Sequence, residues 1–337
     1  MARTLRRIAQ SGADDFYSGE LAERIVRFAQ ETGGYLSAAD LANHTSTWVQ
    51  PISTNYRGYD VWEIPPNGQG LAALLALNIL EGYDLSHHPR DSVQSFHLQI
   101  EAMKLAFADA YRYIADPDHV AVPTEALLSK RYAASRRALI GETAGQPQPG
   151  NLPQGGTVYL CVADGDGMMV SYIQSNYMGF GSGVVIPDTG IAMQNRGAGF
   201  SLDPDHPNLL APGKRPFHTI IPSFLTRDGE AVGPFGVMGG AMQPQGHTQM
   251  VVNMVDWFLN PQASLDAPRW QVDANNTVLL EYGVPQHVIE GLIALGHRVQ
   301  IQAEGGVFGR GQIIWRQPSG TFIGGSDMRA DGCAIGF

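Results

Sequence analysis

The character of the chain changes abruptly at Thr157, and this change limits the possible folds more than any other feature of the sequence. Residues 141–156 are rich in Gly, Pro and Gln and contain little that could pack. Immediately after them, Val158, Leu160 and Val162 recur at every second position, which predicts a buried β-strand. The sequence therefore places a hydroxyl at the first position of a strand, directly behind a loop-forming segment.

A Thr in that position has what an N-terminal nucleophile requires. If the bond between Gly156 and Thr157 breaks, Thr157 carries both an attacking hydroxyl and a free α-amine that can accept its proton. The α-amine has a reference pKa of about 8, whereas a Lys amine titrates at about 10, so the α-amine is the better base at neutral pH. The same pattern also fits an ordinary β-branched strand residue, and from this feature alone that is the commoner case.

Composition places the chain among globular proteins and argues against several classes of function. The chain has 337 residues, of which 44% are hydrophobic and 16% charged, and its net charge is −10. No basic segment follows an aromatic-rich one, so nucleic-acid binding is not expected. The longest apolar run, residues 71–80, is too short to span a bilayer, so no membrane partner is expected.

The sequence lacks the usual signatures of metal and cofactor sites. Neither CxxC nor HExxH occurs, and GxSxG, GxGxxG and a complete P-loop are also missing. We therefore expect no metal and no cofactor. Cys161 and Cys333 are expected to be free, buried thiols.

The order of the predicted elements indicates an α+β fold. Apolar spacing predicts a buried helix over 71–80 and a long helix over 92–115. Strands dominate after Thr157, with two late helices over 247–259 and 285–295. Helices followed by strands are typical of a layered architecture in which sheets lie between helices. The predicted strands are 157–163, 168–174, 184–186, 190–195, 219–226, 231–238, 277–281, 297–302, 311–316 and 320–323.

A series of short motifs, in order along the whole chain, resembles the γ-glutamyltranspeptidase family. The segment 157–167 resembles the start of that family's small subunit, and the motifs before it resemble the end of the large subunit. No single motif is specific, but the ordered series is a strong signal. The motifs lie at 15–19, 33–37, 56–59, 65–70, 157–167, 180–183, 212–216, 239–240, 260–269 and 324–327.

The resemblance implies a fold and a maturation route. The fold is the αββα sandwich of the Ntn (N-terminal nucleophile) hydrolases, with two antiparallel sheets between helical layers. The chain would then be a proenzyme that cuts itself between Gly156 and Thr157. Residues 1–156 would be the end of the large-subunit region and residues 157–337 the small-subunit catalytic region, together forming one structural domain. The processed subunits would stay together as a heterodimer, and whether two such heterodimers associate further into a homodimer stays open.

The resemblance also assigns catalytic roles. The hydroxyl of Thr157 would attack the carbonyl of a small-molecule amide substrate, giving an acyl-enzyme that water or an acceptor amine then resolves. Ser175 would be the second hydroxyl that assists the nucleophile, although a plain Ser at a strand end is the alternative. Gly239 and Gly240 would donate backbone N–H groups to the oxyanion, and an ordinary turn is the alternative for them.

Substrate binding is assigned by the same resemblance. Tyr177, Asn195 and Arg196 match the positions that hold the α-amino and carboxylate groups of the substrate. His218 and Thr219 match a paired-Ser segment with the same task, although for His218 a purely structural role stays open.

Two departures from the family pattern concern the substrate. The acidic residue that grips the α-ammonium of a γ-glutamyl group falls at Gly199, which carries no carboxylate. Arg196 in the same loop suits an anionic acyl group without that ammonium. Glutaryl-type acylases likewise lack the acidic residue at this position. The stretch 201–212 is short, so the lid over the site is expected to be absent or reduced.

These observations leave a leading hypothesis and two alternatives. The leading one is a self-processing acyltransferase or hydrolase of γ-glutamyl amides such as glutathione. One alternative is an amide acylase of the glutaryl or cephalosporin kind. The other is a truncated, non-catalytic binding or scaffold protein, because family members carry a long further segment before the position of Met1. That segment could carry a signal, so a cytoplasmic and a periplasmic or secreted location both stay open.

Overall fold

The computed structural model describes residues 1–147, 157–303 and 305–337. It divides into two compact units, of which the first combines Met1–Val49 with Asn176–Arg196 and the second combines Gln50–Ser175 with Gly197–Phe337. Gly156, on one side of the predicted cleavage bond, lies outside the described residues. The predicted boundary between the subunit regions at Thr157 concerns the cut chain and stays a prediction.

Helices and strands occur in both units. The helices are α1 (Ala2–Ser11), α2 (Asp14–Ser18), α3 (Glu20–Glu31), α4 (Ala38–Ala42), α5 (Gly70–Leu80), α6 (Val93–Tyr113), α7 (Thr124–Leu128), α8 (Lys130–Arg137), α9 (Met242–Val255), α10 (Pro261–Asp266) and α11 (Gln286–Ala294). The strands are β1 (Ile52–Tyr56), β2 (Tyr59–Glu63), β3 (Val158–Ala163), β4 (Met169–Gln174), β5 (Val185–Ile186), β6 (Ile191–Ala192), β7 (Ser223–Arg227), β8 (Glu230–Met238), β9 (Trp270–Val272), β10 (Thr277–Glu281), β11 (Arg298–Gln302), β12 (Arg310–Arg316) and β13 (Phe322–Ser326).

The first unit consists of α1 to α4 and the short β5–β6 hairpin. Ile25, Leu41 and Ile186 are buried together at its centre. The hydroxyl of Thr4 on α1 donates to the carbonyl of Thr189, at 2.8 Å, in the turn between β5 and β6. This bond ties a helix near the start of the chain to a hairpin far along it.

The second unit is built on an antiparallel six-stranded sheet. Its strand order is β1-β2-β7-β8-β12-β13. The β2–β7 ladder runs from the pair Tyr59 and Arg227 to the pair Trp62 and Phe224. Strands β1 and β2 precede Thr157 in the chain and the other four follow it, so one sheet joins chain segments from both sides of the predicted cut.

The β3–β4 hairpin forms a second antiparallel layer on this sheet. Successive side chains of a strand point to opposite faces. Phe235 and Val237 of β8 belong to the core that includes side chains of α5 and α9, so Gly236 faces the other side. The ring of Tyr159 lies there, and a Cβ on Gly236 would come within 2.5 Å of it. A Gly at this position therefore lets β3 approach the sheet closely.

The apolar face of β3 that the sequence predicts as buried is the outer one. Val158, Leu160 and Val162 of β3, with Val170 and Tyr172 of β4, are between 42% and 57% exposed. The inner face of β3 is instead the one that carries Tyr159. That prediction was wrong because both faces of the strand are apolar, and alternation alone cannot say which of them meets the sheet.

The long helices agree with the predictions, apart from α9, which ends at Val255 instead of residue 259 and also begins earlier than predicted. The predicted helix over 92–115 is α6, whose first turn is capped by the side chain of Ser92. The late helix begins at Met242 instead of residue 247. Pro244 lies in its first turn, where no backbone N–H is needed, and Gly246 packs against Val237 with no room for a Cβ. Both residues look like breakers in the sequence.

Among the described residues, no helix combines the length and the apolar character that a bilayer crossing requires.

Candidate active site

Thr157 and Ser175 face each other at the open end of the β3–β4 hairpin. The ladder pairs Val158 with Gln174, and the same register places Thr157 opposite Ser175. The hydroxyl of Thr157 donates to Oγ of Ser175 at 3.1 Å. Thr157 is only 8% exposed. The structure thus brings together the predicted nucleophile and the predicted second hydroxyl, and the hairpin register is the reason.

Cys161 does not compete with Thr157 as a nucleophile. Burial raises the pKa of the Cys161 thiol to about 12, so little thiolate exists at neutral pH. Both cysteines are free, as predicted. The prediction that both are buried was wrong, because Cys161 is partly accessible and Cys333 is exposed in the stretch after β13.

Gly239 and Gly240 form the connection between β8 and α9. Their φ angles are +136° and +60°, in the region that favours glycine. A Cβ on Gly239 would lie 3.1 Å from Cα of Gly309 and 3.3 Å from Cβ of Met242. Both residues immediately precede a helix N-terminus, where backbone N–H groups are unpaired within the helix and can be offered to an anion.

His218 and Thr219 are held by the loop over 65–70. The N–H of His218 donates to the carbonyl of Asn67, and the N–H of Gln69 donates to the carbonyl of His218, each at 2.9 Å. Thr219 is buried, with 2% exposure. The predicted binding segment is therefore fixed through its backbone to a second motif of the chain.

Tyr177, Asn195 and Arg196 lie together in the first unit. The guanidinium of Arg196 stacks on the ring of Tyr177 with 4.3 Å to the ring centroid. Oδ1 of Asn195 accepts from the N–H of Met178 at 3.1 Å. Burial lowers the pKa of Arg196 to about 10, so the side chain is still a cation at neutral pH. The three predicted residues form one cluster within that unit.

Gly199 has no room for a side chain. A Cβ there would lie 2.9 Å from the carbonyl oxygen of Phe217. Asn208 fixes this approach, because its amide donates to the carbonyl of Gly199 at 2.6 Å and accepts from the N–H of Phe217 at 2.9 Å. A carboxylate at position 199 would need the backbone of this segment to move.

A buried polar cluster anchors the segment over 141–147. His97, Glu101 and His297 offer ligand atoms of the kind that bind metals. The ammonium of Lys104, however, lies 2.8 Å from Oε1 of Glu101 and 3.3 Å from Nδ1 of His297, so a cation already occupies the cluster. The expectation of no metal stays a prediction.

The cluster forms a continuous hydrogen-bond network that needs neutral histidines. Lys104 donates to Nδ1 of His297 at 3.3 Å. Nε2 of His297 then donates to Nδ1 of His97 at 2.8 Å, and Nε2 of His97 donates to the carbonyl of Gly141 at 2.9 Å. Glu101 accepts from the N–H of Gly145 at 3.0 Å. These proton positions are the assignment that satisfies every member.

The His297 network is expected to make the fold sensitive to acid. Burial, with smaller contributions from Lys104 and His97, lowers the pKa of His297 to about 3. The unfolded chain binds this proton at about pH 6.5, so the free energy of unfolding should decrease as the pH falls from about 6.5 towards 3. The slope from this group is at most about 1.4 kcal/mol per pH unit.

Denaturant titrations across this pH range measure the effect. His297→Gln keeps a donor and an acceptor but does not titrate, so its stability should depend less on pH than that of the wild-type chain. Equal pH dependence of the two chains would contradict the assignment.

The comparisons with known proteins agree with these observations. The family model described as Gamma-glutamyltranspeptidase matches residues 1–337. The glutathione hydrolase-like YwrD proenzyme of Bacillus subtilis is 38% identical over 342 residues, covering 100% of this chain and 65% of the relative. The oxamate amidohydrolase proenzyme of Klebsiella pneumoniae is 36% identical over 343 residues, with the same coverage. The chain thus spans slightly less than two thirds of these relatives.

A solved structure matches the fold over almost the whole chain. The crystal structure of cephalosporin acylase from Bacillus halodurans superposes with a TM-score of 0.94 at 56% identity, over 98% of this chain and 61% of that chain. The predicted Ntn-hydrolase fold, with antiparallel sheets and helical layers, is confirmed. Taken with the family model that matches residues 1–337, this likeness shows that the chain belongs to the γ-glutamyltranspeptidase family.

Proposed function

We propose that the chain is a self-processing amide hydrolase or acyltransferase whose nucleophile is Thr157. The observation that carries the proposal is the pairing of the Thr157 and Ser175 hydroxyls at the start of β3, at 3.1 Å. The proposed cut is at the bond between Gly156 and Thr157, so cleavage frees an α-amine on Thr157 itself. Relatives that are named proenzymes support the same maturation.

The proposed reaction is acyl transfer through an ester on Thr157. The hydroxyl attacks the amide carbonyl while the α-amine takes its proton and later gives it to the leaving amine. The N–H groups of Gly239 and Gly240 stabilise the negative charge on the carbonyl oxygen, and losing one such donor typically costs about 3 kcal/mol. Ser175 keeps the Thr157 hydroxyl oriented. Water or an acceptor amine then releases the acyl group.

The acyl group is proposed to be an anionic, glutaryl-type chain and not a γ-glutamyl group. The position at which the family grips an α-ammonium is Gly199, where the carbonyl of Phe217 leaves no space for a carboxylate. The similarity to a cephalosporin acylase supports the same choice. Glutathione-type substrates are therefore the second candidate, supported by the relative named glutathione hydrolase-like.

Hydrolysis of two matched anilides tests the substrate class. Glutaryl-anilide and γ-glutamyl-anilide differ only in the α-ammonium group. An ammonium left without its charged partner loses about 1.5–3 kcal/mol, so kcat/KM should favour the glutaryl compound by about 10- to 100-fold. A preference for γ-glutamyl-anilide would reject the glutaryl choice while leaving the nucleophile assignment intact. Absence of hydrolysis with either compound would favour a non-catalytic role.

Arg196, Tyr177, Asn195, His218 and Thr219 stay predicted substrate-binding residues. Butyryl-anilide differs from glutaryl-anilide only in lacking the terminal carboxylate. Comparing the two substrates therefore tests whether Arg196 binds that carboxylate. If the Arg196 guanidinium binds that carboxylate, Arg196→Met should reduce hydrolysis of glutaryl-anilide strongly and of butyryl-anilide little. An equal reduction for both compounds would mean that Arg196 supports the folded structure and does not bind the carboxylate.

The proposed partner arrangement follows from the cut. The two pieces would stay together as a heterodimer, since the ladder between β2 and β7 joins a strand of each piece. Intact-mass spectrometry of the purified chain, with and without denaturing separation, detects the cut and the association. A homodimer of these heterodimers is tested by the native mass.

A further inference from the structure

Gln69 is a buried side chain that joins two parts of the candidate site. Its amide nitrogen donates to the carbonyl of Gly240 at 2.8 Å and to the carbonyl of Thr219 at 2.5 Å. The residue is completely buried. No role for it follows from the motif over 65–70, where Gln69 stands among Pro and Gly residues in a segment with the character of a turn.

The orientation of the Gln69 amide is fixed by its partners. Two carbonyl oxygens face one end, and only the NH₂ group can donate to both. The other end, Oε1, has no hydrogen-bond partner among the described residues. An apolar side chain of the same length at position 69 would therefore remove the donor that Gln69 offers to each of these two carbonyl groups. It would remove no acceptor that another described group uses.

Gly240 needs a restraint of this kind. Both glycines of the connection have positive φ, and without Cβ atoms their peptide planes rotate easily. The carbonyl of Gly240 also accepts from the N–H of Gln243 in the first turn of α9, at 3.2 Å. Gln69 is thus a second donor on the same oxygen, and it limits rotation of the peptide that follows Gly240.

We propose that Gln69 is the positioning residue that holds the oxyanion donors of Gly239 and Gly240 in register with the substrate-binding segment at His218 and Thr219. The inference rests on the proposed function. Gln69 acts through Gly240 and Thr219, and its own backbone N–H bonded to the carbonyl of His218 completes the link. Its effect should therefore appear mainly in kcat, where the oxyanion is stabilised, with a smaller change in KM.

Gln249 provides a matched control on α9. Its amide nitrogen also donates to two backbone carbonyls, those of Gln245 and Trp270, each at 3.0 Å, and the side chain is buried. Neither carbonyl belongs to the candidate site. Gln249→Met removes two bonds of the same kind at a similar depth and also removes the acceptor of the Trp270 N–H, at 3.2 Å. A purely structural effect should therefore be at least as large for Gln249→Met as for Gln69→Met.

The first comparison uses Gln69→Met and Gln249→Met. Activity on glutaryl-anilide is expressed per cleaved chain, with the cleaved fraction taken from intact mass, so that slow self-cleavage does not mimic slow turnover. Loss of correctly placed oxyanion donors should lower kcat of Gln69→Met by about 10- to 100-fold. For Gln249→Met the change should stay within about twofold. Equal kcat values for the two variants would overturn the inference.

The second comparison is a pH profile of Gln69→Glu, which also covers the case in which Gln69→Met does not fold. A neutral carboxyl can donate to one of the two carbonyls, whereas a carboxylate repels both. Burial raises the pKa of such a carboxyl, so activity relative to wild type should fall as the pH rises from about 5 to 8.

Gln249→Glu introduces the same carboxyl group at a position outside the candidate site. Its activity should therefore show the same pH profile as that of the wild-type chain. A Gln69→Glu profile parallel to that of wild type would overturn the positioning role. Inactivity of the wild-type chain itself would instead contradict the proposed function, and this inference with it.

Discussion

Replacement of Thr157 with Ala is expected to leave the chain uncut and to abolish amide hydrolysis. The methyl group cannot attack a carbonyl, so neither the bond before residue 157 nor a substrate amide is opened, and no α-amine is released. Removing a nucleophile of this kind typically lowers the rate by at least about 10³-fold. Intact mass measures the cut, and release of the anilide chromophore measures turnover.

Two matched variants separate chemistry from folding. Thr157→Ser keeps the hydroxyl and should retain measurable cleavage and turnover. Ser175→Ala keeps the nucleophile but removes its hydroxyl partner at 3.1 Å, so cleavage should be slower without being lost. A Thr157→Ala chain that cuts itself and turns over substrate at the wild-type rate would refute the assignment of Thr157.

Replacement of Asp327 with Ala is expected to lower the free energy of unfolding by about 3–5 kcal/mol. Oδ2 of Asp327 accepts from Arg269 at 2.6 Å and from the N–H of Gly311 at 2.8 Å. Oδ1 accepts from Arg329 at 3.1 Å. All three charged side chains are almost completely buried. Without the carboxylate, Arg329 still pairs with Glu281, whereas Arg269 loses the anion that it pairs with, and this uncompensated buried charge causes the loss.

A double-mutant cycle isolates the ion pair from the packing. Asp327→Ala leaves the buried Arg269 cation without its anion. Adding Arg269→Met to that variant should therefore lower the free energy of unfolding much less than Arg269→Met does in the wild-type chain. Chemical denaturation measures each variant. The exposed pair of Glu20 and Arg24 is the control, and Glu20→Gln should change stability little. Additive losses at Asp327 and Arg269 would contradict a strong coupling.

Local patterns in the sequence were sufficient for the main helices and for the β3–β4 hairpin. The apolar spacing of α6 and its Ser92 cap are contained within one segment, so the helix was predicted to within two residues at each end. The pairing of Thr157 with Ser175 was expected only from the resemblance to the family, whereas the hairpin that aligns them consists of two short strands and a tight turn within one segment. Such features depend on neighbours in the chain, and a sequence displays those neighbours directly.

Features that depend on distant segments were not predictable in the same way. The carbonyls that Gln69 binds belong to residues 150 and 171 positions further along the chain. The exposed outer face of β3 is decided by contact of Tyr159 with Gly236. Gly199 showed from sequence that a carboxylate is missing, whereas the reason, the approach of the Phe217 carbonyl, requires the folded backbone. Each of these depends on packing between segments that no local pattern relates.

The shared six-stranded sheet changes the order of the folding reaction once the chain is cut. In the uncut chain, β2 and β7 pair within one molecule, so the refolding rate is first order and independent of protein concentration. After the proposed cleavage the same ladder joins two polypeptides, and refolding becomes a second-order association. The mature form would then be protected by slow unfolding rather than by ready refolding, since diluted pieces rarely meet again. Cleavage would thus convert a reversible fold into a kinetically trapped one without altering a single strand pairing.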